Sequence, residues 1–186
     1  MLFQIVSLLL EVTAGVLAGA CLLRLYMQHQ RIPMSVRSGN PLGRFVFALT
    51  DWIVLPLRRL VPAAGRWDLA SLAAAYLIVL AQFSVLWSLL AFADSYVSVL
   101  ILAAFGVVKI VISGLTGLVI VYAVLSWVQS KNVLADVIDR LVAPVLAPIR
   151  RLLPLVGGID LSPLVLLVLL QVLLIVLGEA QGWALL

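Results

Sequence analysis

The stretch Pro148-Ile-Arg-Arg-Leu-Leu-Pro-Leu-Val-Gly-Gly-Ile-Asp-Leu-Ser-Pro163 joins a segment of mixed polarity to a long apolar one. An earlier stretch, Pro56-Leu-Arg-Arg-Leu-Val-Pro-Ala-Ala-Gly-Arg-Trp-Asp68, has the same pattern at a constant offset (148 − 56 = 92; 160 − 68 = 92). A fixed offset indicates an internal duplication, so we assign residues 1–93 to a first repeat and 94–186 to a second. The paired positions are Pro56 and Pro148, Arg58-Arg59 and Arg150-Arg151, Pro62 and Pro154, Gly65 and Gly157, and Asp68 and Asp160.

The composition places the chain in a membrane. Of its 186 residues, 65% are hydrophobic and 11% are charged, with a mean hydropathy of +1.27. A soluble domain is about half apolar and about a quarter charged. The net charge of +4 comes from basic residues that flank apolar runs, without the aromatic interleaving of single-strand binders. We therefore expect anionic lipid headgroups as a partner and no direct contact with nucleic acid.

Four apolar runs predict membrane spans, because about 20 helical residues cross the hydrocarbon core. The run at 97–128 would measure about 48 Å as a helix, so we expect tilt, protrusion or a kink there. Ser162 and Pro163 give the last run a typical start, with Ser162 as the cap and Pro163 at the first helical position. The predicted spans are residues 2–24, 69–93, 97–128 and 161–178.

Two segments between the spans, residues 42–62 and 133–153, predict amphipathic helices. Their apolar residues recur at helical spacing, while charged residues lie largely on the other side. Both segments are too polar to span, so we expect them in the headgroup region. Pro144 and Pro148 predict that the second helix is broken or bent.

The distribution of charge predicts the topology. Eleven of the twelve Lys and Arg residues lie in segments 24–66 and 131–151. By the positive-inside rule both segments face the cytoplasm and both termini lie outside. The predicted fold is an all-α polytopic membrane protein with four transmembrane helices. They form two parallel repeats, each a span, a cytoplasmic amphipathic helix and a second span.

The doubled Pro-x-Arg-Arg-x-x-Pro element, the Gly-Gly-Ile-Asp-Leu-Ser-Pro continuation and the four-span layout resemble the YggT family of small integral membrane proteins. The resemblance covers nearly the whole chain and is closest from Pro144 to Pro163. In the first copy Arg66-Trp67 replaces the Gly-Ile pair and Ala70-Ser71 replaces Ser-Pro.

The resemblance implies a non-enzymatic bacterial membrane protein that supports other complexes. Bacterial relatives are associated with osmotic stress tolerance and with envelope or division roles. Chloroplast relatives are associated with nucleoid distribution and with haem attachment to cytochrome b6.

The residues of the doubled element have two interpretations. The arginine pairs bind lipid phosphates or an acidic partner, or they only set the topology while their side chains snorkel. Asp160 accepts from an arginine of the element, or it caps the last span. The candidate contacts are Pro56, Arg58, Arg59, Pro62, Asp68, Pro144, Pro148, Arg150, Arg151, Pro154, Gly157, Gly158, Asp160, Ser162 and Pro163.

Glu11 and Lys109 are charges inside apolar spans, and each begins a row of residues spaced by four. The offset between the rows is constant (109 − 11 = 98; 117 − 19 = 98). We expect the rows to lie side by side and the two charges to form a buried ion pair that locks the repeats together. The alternative is that each charge snorkels or meets water separately. The rows continue with Gly15 and Gly19, and with Ser113 and Gly117.

Motifs of catalysis do not occur in the sequence, which has no Gly-x-Ser-x-Gly, Walker, His-Glu-x-x-His or Cys-x-x-Cys pattern. We therefore predict no enzyme and assign no catalytic, cofactor or metal residues. The leading hypothesis is a scaffold or assembly factor of the bacterial cytoplasmic membrane, with other membrane proteins or a second copy as partners. The alternative is a component of an ion channel or transporter that responds to osmotic stress.

Overall fold

The computed structural model describes residues 1–35, 39–62, 67–90, 96–128, 132–152 and 160–184. The described residues form six helices. They are α1 (Leu2–His29), α2 (Pro41–Leu60), α3 (Leu69–Leu90), α4 (Tyr96–Val128), α5 (Val133–Leu152) and α6 (Ser162–Ala184).

The helices α1, α3, α4 and α6 are long and apolar enough to cross a bilayer. The prediction of four spanning helices is therefore confirmed, although two of their ends were placed too early. α1 continues past Arg24 to His29, and α6 continues past Gly178 to Ala184. Arg24 does not end α1, because its side chain is buried and paired instead of reaching for water. The predicted end of the second span, 91–93, lies outside the described residues.

The prolines do not break α5, so the first of the two predicted effects, a break, is wrong. Pro144 and Pro148 lie inside one continuous helix, and Pro56 lies inside α2 in the same way. Each proline removes one backbone hydrogen bond to the residue four positions earlier. Pro144 and Pro148 are four residues apart on the exposed side of α5, so the carbonyls left without a donor lie on the same open face.

The two connecting helices lie at the same end of the spans. The rings of His29 and Trp67 are 4.5 Å apart, so α3 begins where α1 ends. Tyr26 Oη, also near the end of α1, donates a hydrogen bond of 2.7 Å to the carbonyl of Leu141 in α5. Because α5 follows closely on α4, this contact places the C-terminal ends of α1 and α4 together, and the two helices run in the same direction.

Each connecting helix packs against the spans on either side of it. α1, α2 and α3 contact one another in every pairing, and so do α4, α5 and α6. The two groups meet through α3 against α4 and through α1 against α4. Small residues in α1 and α3 allow these helices to approach closely. The buried residues of this core include Ala18, Cys21, Ala70, Ala74, Ala75 and Val79.

Gly106 allows α4 to pack tightly against α3. A Cβ atom at this position would lie 2.8 Å from Val79 Cγ1 and 3.0 Å from Phe83 Cε2. Real Cβ atoms essentially never approach other heavy atoms this closely. The missing side chain of Gly106 is therefore part of the contact between the two groups of helices.

We predict that Gly106→Ala destabilises the protein by about 1–3 kcal/mol, because the added methyl overpacks the α3–α4 contact. Gly114→Ala on the same helix is the matched control, since a Cβ atom there would meet nothing within 4 Å. Thermal unfolding in detergent measures both effects. Equal unfolding temperatures for the two variants would contradict this packing.

Candidate functional site

The first arginine of each doubled element makes the same kind of contact. Arg58, in the last turn of α2, donates a hydrogen bond to the carboxylate of Asp68 just before α3. Arg150, in the last turn of α5, places its Nε 2.9 Å from Asp160 Oδ2 ahead of α6. Each pair therefore fixes the connecting helix against the start of the span that follows it.

Asp68 lies at the centre of a buried polar cluster, and its side chain has no exposed surface. Its Oδ2 atom accepts hydrogen bonds from Arg58 and, at 2.8 Å, from Ser71 Oγ. Arg58 also donates to Gln28 Oε1 in α1 at 3.3 Å. The start of α3 is thus bonded to the ends of α1 and α2. We call Arg24, Gln28, Thr50, Asp51, Arg58, Asp68 and Ser71 the first polar cluster.

Arg24 extends the first polar cluster into α2. Its Nη1 donates hydrogen bonds of 2.7 Å to both Thr50 Oγ1 and Asp51 Oδ1. Its Nε lies 3.9 Å from Asp68 Oδ2, and its guanidinium carbon lies 4.8 Å from the centroid of the Phe47 ring. The side chain is 3% exposed, and among the described residues its Nε has no hydrogen-bond partner, so these groups replace only part of its water. A buried charge requires such partners.

The second polar cluster consists of Tyr122, Arg150, Asp160 and Ser162. Besides its bond to Asp160, Arg150 donates from Nη2 to Tyr122 Oη at 2.6 Å. The backbone N–H of Ser162 donates to Asp160 Oδ1 at 2.9 Å. Asp160 therefore accepts from the arginine and also caps the first turn of α6, so both interpretations of this residue apply. α6 begins at Ser162, so Ser162 is its first residue and not the cap that the sequence predicted.

Hydrogen bonds hold both aspartates in the charged form. Burial alone would raise the pKa of Asp68, but hydrogen bonds from Arg58 and Ser71 outweigh it and lower the pKa below its ordinary value. The pKa of Asp160 is also lowered, because bonds from Ser162 and Arg150 exceed the smaller effect of its burial. Both carboxylates are ionised at neutral pH and serve as acceptors.

The second arginine of each element points away from the protein. Arg59 and Arg151 are exposed, and neither forms an ion pair within the described ranges. Pro56, Pro62, Pro144 and Pro148 are exposed as well, whereas Pro163 is buried beside Ser162. Three predicted contacts, Pro154, Gly157 and Gly158, lie outside the described residues.

Glu11 and Lys109 are brought together, but the rows that follow them are not. Lys109 Nζ lies 3.6 Å from Glu11 Oε1. Their side chains are 62% and 64% exposed, so the pair lies on the surface of the helices and the expectation of burial was wrong. A Cβ atom at Gly15 or Gly117 would meet nothing within 4 Å, and one at Gly19 would meet Ile110 of α4 at 3.7 Å, so the glycines of the two rows do not pack against each other.

Sequence reasoning missed five of the seven residues of the first polar cluster, all but Arg58 and Asp68. Arg24 was treated as the end of the first span, Asp51 as part of the polar side of α2 and Ser71 as a departure from the motif, while Gln28 and Thr50 were not considered. A polar residue inside an apolar helix was the only signal for Arg24. Across the described parts of the chain, no three His, Cys, Asp or Glu side chains are grouped so that they can hold a metal ion.

A family model described as CCB3/YggT matches residues 1–90 and 101–181. The chain belongs to this family. The protein named "Uncharacterized protein YggT" from Escherichia coli K12 is 37% identical over 152 residues, covering 81% of this chain and 77% of its own.

Further relatives come from other bacteria. An "Uncharacterized protein in proC 3'region" of Vibrio alginolyticus is 34% identical over 87% of this chain and 86% of its own. "Uncharacterized protein PA0392" of Pseudomonas aeruginosa is 33% identical over 67% of this chain and 66% of its own. No solved structure matches the chain.

We predict that Asp68→Asn destabilises the protein by about 3–5 kcal/mol, because it leaves buried arginine charge without its counterion. Asp160→Asn is the matched control and costs about 1 kcal/mol, because its pair is partly exposed and asparagine still caps α6. Unfolding by a denaturing detergent measures both. A larger loss for Asp160→Asn would contradict the assignment of Asp68 as the buried centre.

The same measurement across pH provides a second check on Asp68. A lowered pKa in the folded state means that the stabilisation is complete above the unfolded value of 3.8 and is lost as the pH falls through the folded value. The difference in the free energy of unfolding between the wild type and Asp68→Asn is therefore constant from pH 5 to 7, and it becomes smaller in stronger acid.

Proposed function

We propose that this protein is a non-enzymatic scaffold or assembly factor of the bacterial cytoplasmic membrane. In this proposal the chain consists of two repeats, each a span, an amphipathic helix in the headgroup layer and a second span. The single observation that carries it is that the two arginines of each pair differ: the first is bonded within the fold and the second is exposed. Arg58 and Arg150 hold the fold together, while Arg59 and Arg151 remain exposed at the same end of the molecule.

The burial of the connecting helices supports their placement in the headgroup layer. α2 buries Val46, Thr50 and Val54, which are four residues apart, and exposes Trp52. α5 likewise buries one side and exposes its charged residues. Exposed arginines and a tryptophan at one end of four spans fit anionic headgroups. The exposed guanidinium groups would then be held at a fixed depth by the paired ones.

A cleft between the two halves gives the proposed partner a place to bind. Its volume is about 180 Å³, and it carries both an acidic and a basic side chain, Asp136 and Arg140. It lies beside α5 and the chain that connects α1 to α2. Its lining residues are Ile32, Pro33, Asn40, Val133, Asp136, Val137 and Arg140. In this proposal, one or two side chains of another membrane protein enter the cleft, which is smaller than a typical small-molecule site.

A photo-crosslinking amino acid at Arg140 tests the scaffold proposal in native membranes. We expect discrete protein adducts from this position, because it lines the cleft. The matched control is Val172 on the outer side of α6, which is half exposed and should yield only lipid adducts. Lipid adducts alone from both positions, with the crosslinker at saturation, would contradict a scaffold role.

The cytoplasmic placement of the connecting helices is tested by thiol labelling. Cys21 is first replaced by alanine, and single cysteines are introduced as Gln181→Cys and Asp139→Cys. We expect the first to react with an impermeant reagent outside intact cells and the second to react only after lysis, because basic segments stay inside. The opposite pattern would overturn the orientation.

The alternative function is a component of an ion channel or transporter that responds to osmotic stress. The observation that favours it is the exposure of Glu11 and Lys109 within spanning helices, since charges at such positions often mark ion pathways. Purified protein in liposomes decides between the two functions. Ion flux under an osmotic gradient would favour the channel, and no flux under any gradient would exclude it.

A further inference from the structure

The Glu11–Lys109 pair lies where the hydrocarbon core would surround it. Both residues are inside helices of spanning length, α1 and α4. Nearly two-thirds of each side chain is uncovered by the rest of the chain. Charges that face hydrocarbon are unfavourable, and in membrane proteins they almost always face other protein or a water-filled cavity. Something besides this single chain must therefore cover the pair.

The contact within the chain satisfies only part of the pair. A lysine ammonium has three donors and a carboxylate has two acceptor oxygens. The described ion pair uses one nitrogen and one oxygen at 3.6 Å, which is longer than a charged hydrogen bond normally is. Lys109 therefore retains donors, and Glu11 retains an acceptor oxygen, that this contact does not use, and both side chains are largely exposed. The partner that covers them must offer an acceptor to Lys109 and a donor to Glu11.

The surface around the pair is open down to the backbone. Gly15 follows Glu11 by one helical turn, and Gly117 follows Lys109 by two turns; a Cβ atom at either glycine would meet nothing. Val12 directly follows Glu11, and Ile120 lies about three helical turns after Lys109 on the same side of α4; both are about half exposed. An apolar surface with exposed glycine backbone allows another helix to approach closely in a membrane.

We propose that a second copy of this chain covers the pair, related by a two-fold axis along the membrane normal. A two-fold interface requires a surface that is complementary to itself. An acid and a base side by side meet this requirement, because rotation places each Glu11 opposite the partner's Lys109. The four charges then alternate in sign and sum to zero. An unrelated partner would need an acid and a base of its own at the same depth.

This inference rests on the proposed membrane placement but not on the scaffold role. All copies inserted by the same topology signal share one orientation, so an axis along the membrane normal relates them without inverting either. The photo-crosslinking test at α5 addresses partners near the connecting helices. The dimer forms instead through α1 and α4, so the two proposals can fail independently.

Charge reversal in trans tests the dimer directly. Two differently tagged full-length chains are co-expressed and extracted together in a mild detergent, and the recovery of one tag with the other is measured. We expect Glu11→Lys in both chains, or Lys109→Glu in both, to lower recovery about tenfold, because like charges then face each other. Pairing a Glu11→Lys chain with a Lys109→Glu chain should restore recovery to near the wild-type level.

Two further variants keep the test decisive if a charge reversal disturbs folding. The double variant Glu11→Gln with Lys109→Met replaces both charged side chains by uncharged ones of similar shape. We expect this variant to fold, and we expect less of one tagged chain to be recovered with the other. Glu179→Lys near the end of α6 is the control, being an exposed acid in a spanning helix far along the chain. Its recovery should equal that of the wild type.

Either of two results would overturn the proposal. One is a wild-type chain that remains monomeric in lipid nanodiscs at every protein-to-lipid ratio, which would mean that lipid or water covers the pair. The other is a mixed pair of reversed chains that associates no better than each reversed chain alone, although all of them elute as folded protein.

Discussion

A buried guanidinium sets the arrangement of the first three helices. Arg24 is buried near the C-terminal end of α1, where Thr50 and Asp51 of α2 and Asp68, just ahead of α3, lie around its charge. An unpaired charge there would be very unfavourable. The positions of α2 and of the start of α3 are therefore constrained by the need to neutralise a single residue of α1. Together with Arg58, the cluster contains two positive and two negative charges.

The second half also bonds its connecting helix to the neighbouring spans, but with fewer charged residues. Tyr122 follows Arg24 by the same offset that separates Lys109 from Glu11 (122 − 24 = 98; 109 − 11 = 98). The hydroxyl of Tyr122 accepts a hydrogen bond from Arg150. The second cluster therefore contains only one arginine and one aspartate, and both are partly exposed. A less deeply buried cluster needs fewer partners. The two halves of the molecule thus use related positions with different burial, and we expect the more deeply buried first cluster to contribute more to stability.

Hydropathy and spacing predicted the four spans and the two connecting helices, because these properties are local. They placed the end of α1 too early, since the partners that allow Arg24 to remain inside the protein, Asp51 and Asp68, are distant in sequence. For Asp160 a contact with an arginine of the motif was one of two interpretations, but the matching pair of Arg58 and Asp68 was not considered, although both residues belonged to the recognised motif. The repeat offset predicted that Glu11 and Lys109 lie close together. It did not predict the exposure of the pair, because this exposure depends on the distance between α1 and α4, which residue spacing does not determine. Function remains a proposal for the same reason, because no local pattern carries it.

The coupling between Arg24 and Asp68 is the most direct measure of whether the first cluster acts as one unit. A double-mutant cycle compares Arg24→Gln, Asp68→Asn and the double variant by their free energies of unfolding in detergent. The buried network predicts a coupling of about 2 kcal/mol, with the double variant losing less than the two single losses added together. Strictly additive losses would show that the two charges stabilise the fold independently, and they would contradict the account.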